Sequence, residues 1–369
     1  MKKHKIAIFT SLRMIPAHPR LMMEKEILID DADSVEIVSA PYSKKEVPLK
    51  FKLLNYLTLS FFRWDLIFFF KKERNNFDVN IIYDLNLLPL GLFFKKDDKG
   101  ILIYETIDDN VHLTMYNLIK IFPLFNLVKY PILYFLKKIE VILVEKYYDA
   151  LIVNSRYLFD LLAVTKTKII NYYSSPFENI ELINTGSIGK PALLYLGIFS
   201  NEKGANKILE LRNRLNLPLY IFGEVRIENF EMHESIFQFP RLEVETLKTR
   251  LIEISKERKF IGLSLIEPTN LSYANQLANK DIDYLCLGIP IIGNYRNTTR
   301  EFIEAKCGVF YDQNDQIELL IHNDKYYNSM SKTCKAFYAS NFRYELFKNN
   351  LVSLIDNLTQ SIAKNNVFS

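Results

Sequence analysis

Short apolar runs alternate with longer amphipathic segments along the chain. In the first half KIAIFTS, SVEIVSA, VNIIYD, ILIYET and ALIVNS are strand-like, and the stretches between them carry helical periodicity. That alternation predicts βαβ units on a parallel sheet. After ALIVNS and a short helix, residues 174–191 (SSPFENIELINTGSIGKP) are rich in Ser, Asn, Gly and Pro and sustain no period, which predicts a linker. The pattern then restarts, with ALLYLGI, LPLYIFG, FIGLSLI, IPIIGN and CGVFYD as strands of a second parallel sheet. Two α/β domains joined in this way are expected to bind a ligand in the cleft between them, near the C-terminal ends of the strands.

The segment ANKDIDYLCLGIPIIGN (278–294) falls at such a strand end. Ile282, Leu285 and Cys286 follow i, i+3, i+4 spacing and predict one buried helix face, Gly288 its C-terminal stop, and Pro290 the start of the next strand. Lys280 and Asp283 are then neighbours at the helix N-terminus. Free backbone N–H groups and the helix dipole favour an anion there, and Lys280 adds a full charge, so a phosphate is the natural guest. Asp283 would reach outward to accept hydrogen bonds from a ribose diol. The spacing alone fits equally an exposed i, i+3 ion pair.

Composition narrows the function classes. A chain of 369 residues with 49% hydrophobic content can bury two cores of ordinary size, and a net charge of +4 without an Arg-rich motif points away from nucleic acid. Cys286, Cys307 and Cys334 form no C-x-x-C pair, so neither zinc nor a disulfide framework is suggested, and a cytoplasmic setting fits. The start, MKKHKIAIFTSLRM, reads as a first strand rather than a signal peptide. Residues 53–70 and 118–136 are the most apolar stretches, but Arg63 and Asp65 interrupt the first and Lys120, Pro123, Lys129 and Pro131 the second. Both are expected to be helices of a large domain, with contact on a membrane surface as the alternative. All the Lys-Lys pairs, at 2/3, 44/45, 71/72, 95/96 and 137/138, precede residue 150, which suits an anionic lipid surface.

YANQLANKDIDYLCLGIPII (273–292) resembles the donor-binding motif of family-4 glycosyltransferases of the GT-B fold, N-K-x-x-E-Y-x-x-x-G-x-P-[VI]-[IV]. Further segments are similar in the same order. HPRLMMEKEIL (18–28), IIYDLNLLPLGLFFKK (81–96), ILIYETIDD (101–109) and LVEKYYDALIVNS (143–155) lie in the first half, and LLYLGIFSNEKG (193–204) and CGVFYD (307–312) in the second. The resemblance implies two Rossmann-like domains with parallel sheets facing across a cleft. It places an acceptor domain at 1–173, the linker at 174–191, a nucleotide-sugar domain at 192–340, and a C-terminal helix, 341–369, packing back towards the first domain.

Carried over by position, the resemblance implies that Lys203 and Lys280 hold the donor diphosphate, that Asp283 takes the ribose, that Gly197 and Gly204 let backbone approach the nucleotide, and that Asn275 and Asn279 belong to the same site. His18, Arg20, Asp84, Glu105 and Asp108 are candidates for the acceptor side of the cleft, although Asp84, Glu105, Asp108 and Asp109 at strand ends read first as helix caps or solvated carboxylates. No metal and no cofactor is implied beyond the nucleoside-diphosphate sugar substrate. The implied activity is a metal-independent, retaining, hexosyltransferase-like transfer to a saccharide acceptor. A lipid-linked acceptor at the cytoplasmic face of the membrane, in capsule, O-antigen or exopolysaccharide assembly, completes that expectation. Three departures stand out: the family's acidic pair appears as Asn275 and Asp283, its cleft His as Ile107, and the Arg often found shortly before the phosphate lysine is missing from LGIFSNEKG. They leave room for a non-catalytic protein that binds a sugar nucleotide or supports a partner. A nucleotide-sugar 2-epimerase of the same fold is the other alternative.

Overall fold

The computed structural model of the chain describes residues 4–11, 19–41, 47–58, 61–73, 76–94, 100–107, 109–121, 123–182, 190–227, 230, 233–266 and 277–367. The chain forms two compact units, Met1–Tyr172 with Glu345–Ser369, and Tyr173–Tyr344.

In the first unit, β1 (Lys5–Thr10), β2 (Ser34–Val38), β3 (Val79–Tyr83), β4 (Ile101–Thr106), β5 (Ala150–Val153) and β6 (Thr167–Ile170) form a parallel sheet in the order β2-β1-β3-β4-β5-β6. β3 and β4 are buried along their whole length, which is why VNIIYD and ILIYET read as unbroken apolar runs: parallel strands are covered on both faces. β6, TKII, is an edge strand only half covered, so the run that would have marked it in the sequence is missing.

In the second unit, β7 (Lys190–Leu196), β8 (Phe199–Ser200), β9 (Leu219–Phe222), β10 (Val225–Arg226), β11 (Ile236–Phe239), β12 (Arg258–Ser264), β13 (Ile291–Gly293) and β14 (Gly308–Phe310) follow in chain order. Six of them form a parallel sheet ordered β11-β9-β7-β12-β13-β14, while β8 and β10 pair beside it. The edge strand β11 carries no apolar run either. It is held by rings stacked across the ladder, Tyr220 on Phe237 and Phe222 on Phe239, with centroids 4.8 and 4.6 Å apart.

The apolar stretch 53–70 is broken into helices Leu49–Leu57 and Trp64–Phe70, and the charges that interrupt it are used inside. The Arg63 guanidinium donates to both Asp65 oxygens, at 2.9 and 2.7 Å, and Asn55 Nδ2 donates to the same carboxylate at 2.8 Å. Those bonds hold the Asp65 pKa below its ordinary value against the cost of burial. No helix among the described residues is long and apolar enough to cross a membrane. The last helix, Tyr344–Val367, lies on the first unit, where Lys348 Nζ is 3.3 Å from Asp30, Asn350 Nδ2 donates to the Ile170 carbonyl, and the Phe347 ring lies under the Arg20 guanidinium.

Candidate functional site

The helix Asn279–Leu287 exists for the reasons its sequence gives. Ile282, Leu285 and Cys286 are buried on one face, and Gly288 closes it at φ 68°, donating back to Tyr284 and Leu285. A further anchor was not legible. Tyr284 lies flat on the sheet, where its hydroxyl accepts from Leu196 N at 3.0 Å and donates to the Leu194 carbonyl at 3.1 Å. Gly262 on β12 leaves room for that ring, since a Cβ there would stand 2.6 Å from it. Helix and β7 are thereby fixed together with the N-terminal turn presented at the strand ends. Ala278 at the N-cap offers no side-chain cap, so the first-turn N–H groups receive none from it.

Lys280 is 9% exposed, and its Nζ has no hydrogen-bond partner among the described residues. The ammonium sits over the Tyr195 ring, 4.1 Å from the centroid. Burial, with repulsion from Arg296 and Lys203, pushes its pKa down to about 7 against the opposing pull of Asp281. Asp281 is fully buried and accepts from Arg296 Nη2 at 3.2 Å, and the same nitrogen donates to Ser264 Oγ at 2.6 Å. Arg296 was not anticipated from the sequence, although it follows β13 by three residues and strand ends are where such groups collect.

Asp283 turns away from Lys280. Ser175 Oγ donates to its Oδ1 at 2.7 Å, and burial pushes the carboxyl pKa up to about 7 despite that bond, with the Asp281 charge adding to the rise. A Lys280–Asp283 ion pair is therefore not what forms: Lys280 is buried over Tyr195, while the half-buried Asp283 carboxylate is bonded to Ser175. Ser175 belongs to the segment read as linker; its neighbour Ser174 is bonded to Tyr338.

Lys203 ends a short 3-10 turn, Asn201–Lys203, and its charge reaches Lys280. Gly204 follows at φ 87°, and a Cβ there would stand 1.7 Å from the Leu265 carbonyl oxygen, so only glycine lets this loop close onto the end of β12. Gly204→Ala is expected to cost roughly 3 kcal/mol or more in denaturant unfolding, from strain at positive φ plus a backbone clash. Gly197, at φ 111°, faces open space, and Asn279 is exposed at the helix start. Lys203, Gly204, Lys280 and Asp283 thus all belong to the second unit. Asn275, His18 and Asp108 lie outside the described residues.

The remaining candidates in the first unit have internal partners. Arg20 and Glu105 were expected on the acceptor side of the cleft; instead both are buried in one network. Arg20 Nε donates to Glu24 and to Glu105 at 2.9 Å each, and Nη2 to Glu105 at 2.6 Å and to the Asn171 carbonyl at 3.0 Å. Burial and the Glu105 charge raise the Glu24 pKa well above its ordinary value. Asp84 is buried at φ 78°, and its N–H donates to the Glu105 carbonyl. Asp109 precedes the helix Asn110–Ile121 and accepts from the His112 N–H at 3.3 Å, as a cap would. It also meets His112 Nδ1 at 2.5 Å and Lys137 Nζ at 2.9 Å, and these partners hold its pKa down at about 2 despite burial. Lys137, one of the lysine pair at 137/138, is thus drawn inward. Among the described residues no group of three or more His, Cys, Asp or Glu side chains is placed to hold a metal ion.

No known family and no curated protein matches this chain by sequence. Solved structures do match, across both units. Sucrose-phosphate synthase from Thermosynechococcus elongatus aligns with a TM-score of 0.69 at 11% identity, over 97% of this chain and 100% of its own. Anabaena Alr3699/HepE in complex with UDP-glucose aligns at 0.66 and 9% identity, over 96% of this chain and 100% of its own. The fold is GT-B. A third GT-B match, an alpha-glucosyltransferase in complex with UDP-glucose and DNA containing an abasic site, aligns at 0.57 and 12% identity over 97% and 100% of the two chains. Similarity at such low identity carries the GT-B architecture and no residue roles.

Proposed function

We propose that this protein is a glycosyltransferase that moves a sugar from a nucleoside diphosphate to a saccharide acceptor. The observation that carries the reading is the Lys280 amine, buried without a hydrogen-bond partner among the described residues at a helix N-terminus that Ala278 does not cap, with the Lys203 charge repelling it. Holding a cation there costs free energy in the empty protein, and an anion would relieve that cost. A diphosphate supplies the anion. During transfer the bond from the anomeric carbon to the phosphate oxygen breaks, and negative charge develops on the departing phosphate. Lys280, Lys203 and the first-turn N–H groups stabilise it. In a retaining, metal-independent course the acceptor hydroxyl attacks from the face that the phosphate leaves, and its proton passes to a phosphate oxygen.

Asp283 would hold the ribose diol, with Ser175 steadying its carboxylate, while Gly197, Gly204 and Asn279 would lie along the nucleotide. Asp283→Asn is expected to weaken donor binding by roughly 10- to 150-fold, the scale of one charge-assisted hydrogen bond. Ser175→Ala should give a smaller loss in the same direction. Nucleoside diphosphate Kd values for the two variants check this.

The acceptor in this reading is lipid-linked, within capsule, O-antigen or exopolysaccharide assembly at the cytoplasmic face of a membrane, and the first unit binds it. A second reading, a sugar-nucleotide-binding protein without transfer activity, draws on Arg20 and Glu105 being consumed in their own network and on Ile107 standing where a cleft histidine would. The test is a thermal-shift screen with UDP, GDP and their sugars, followed by a sugar-release assay. Binding at about 100 times Kd should stabilise the protein by roughly 2.7 kcal/mol. Stabilisation with sugar release supports the transferase, stabilisation with neither hydrolysis nor transfer supports the second reading, and no stabilisation by any nucleotide overturns both.

A further inference from the structure

The helix Lys129–Tyr147 is apolar on the wrong side. Its inward face carries Glu140, which accepts from Tyr104 Oη at 3.0 Å and from Lys137 Nζ at 2.9 Å, alongside Leu133 and Val144. Its outward face carries large apolar side chains. At about 100° per residue, Tyr134, Phe135, Lys138 and Ile142 fall on one stripe, and Leu127 and Val128 stand exposed just before the helix begins. Leu127, Tyr134 and Phe135 are 83%, 72% and 62% exposed. An amphipathic surface helix ordinarily shows the reverse arrangement. A contiguous exposed apolar stripe of this kind marks a contact surface.

We infer that this stripe docks the protein on an anionic lipid surface. Charge selects that occupant. Residues 123–139 contain no acidic side chain, while Lys129 and Lys138 border or interrupt the apolar positions. Headgroup phosphates would answer those lysines as the apolar side chains enter the acyl boundary. Tyr130 and Tyr134 bring rings with a polar tip, suited to the headgroup depth. A second copy of the chain answers the lysines poorly, because two-fold pairing of this face on itself brings lysines together, and Glu145, the acid that follows on the same face, is held by Thr165. The docking is peripheral, since this helix is too polar on its inner face to span. The inference is independent of the donor reading, because lipid binding is measured without any sugar nucleotide.

The experiment is cosedimentation of the full chain with phosphatidylcholine vesicles, with and without phosphatidylglycerol, at low and high salt, alongside analytical ultracentrifugation over a range of protein concentrations. The anionic vesicles should bind at least roughly tenfold more strongly than the neutral ones, and high salt should remove most of that difference. Leu127→Ser/Tyr134→Ser/Phe135→Ser should lower the partition coefficient at least about tenfold with an unchanged circular dichroism spectrum, because the three side chains are exposed. Lys138→Glu should abolish most of the anionic preference. Absence of vesicle binding, or binding unaltered in the triple variant, overturns the inference. So does a concentration-dependent dimer that the triple variant abolishes in a chain that ignores vesicles, which would make the occupant a second copy.

Discussion

Lys280→Met is expected to reduce sugar transfer by roughly 10²- to 10³-fold, the scale for removing one group that stabilises a developing oxyanion, while leaving the empty protein at least as stable as before. Ordinarily a buried cation is removed at a cost, because its partner is stranded. Here Nζ has no hydrogen-bond partner among the described residues, and methionine fills similar volume without a charge to desolvate. The sign of the pH dependence follows from the same burial. The Lys280 pKa is near 7 in the folded protein and near 10.5 in the unfolded chain, so between those values the unfolded state binds more protons. Stability therefore rises with pH across that window, and Lys280→Met should flatten this limb of the curve. Asp283 contributes with the opposite sign: its folded pKa is raised from 3.8 to about 7, so its contribution is lost as pH rises between those values. Thermal melts of the empty protein across both windows, with Lys280→Met and Asp283→Asn beside the parent, separate the two limbs. Full transfer activity in Lys280→Met would remove the residue from the chemistry.

Arg20→Met is expected to destabilise the protein by roughly 3–5 kcal/mol, the cost of breaking a buried ion pair from one side. Arg20 bridges Glu24 and Glu105 and also donates to the Asn171 carbonyl; its loss leaves two carboxylates facing each other without the cation. Cation stacking on Phe347 is lost as well, loosening the last helix where it meets the first sheet. The measurement is the denaturant midpoint at neutral pH. If Arg20 instead worked on the acceptor, the midpoint would hold and only the acceptor KM would move.

How much of this was legible depended on burial. Strands enclosed on both faces, such as Val79–Tyr83 and Ile101–Thr106, announce themselves as apolar runs, whereas the edge strands Thr167–Ile170 and Ile236–Phe239 do not, because half of each is solvated. The helix Asn279–Leu287, its glycine stop and its following strand could be read from spacing and turn chemistry. The surroundings of its first turn could not. Ser175, Tyr195 and Arg296 reach it from three other stretches of chain, and nothing in the local pattern of 278–294 names them. The same limit explains Arg20 and Glu105, 85 residues apart, which looked available one by one and prove to be each other's partners.

The buried Lys280 amine as the diphosphate site is tested most directly by the pH dependence of nucleoside diphosphate binding. Above pH 7 the terminal phosphate is already fully ionised, so any further loss of affinity belongs to the protein. Calorimetric Kd values between pH 7 and 9, for the nucleotide that stabilises the protein most, should weaken by up to about tenfold per pH unit in the parent, because the amine must regain its proton to meet the phosphate. In Lys280→Met binding should be weaker at pH 7 and flat above it. A methionine variant that binds as tightly as the parent, with the same pH profile, would contradict the account.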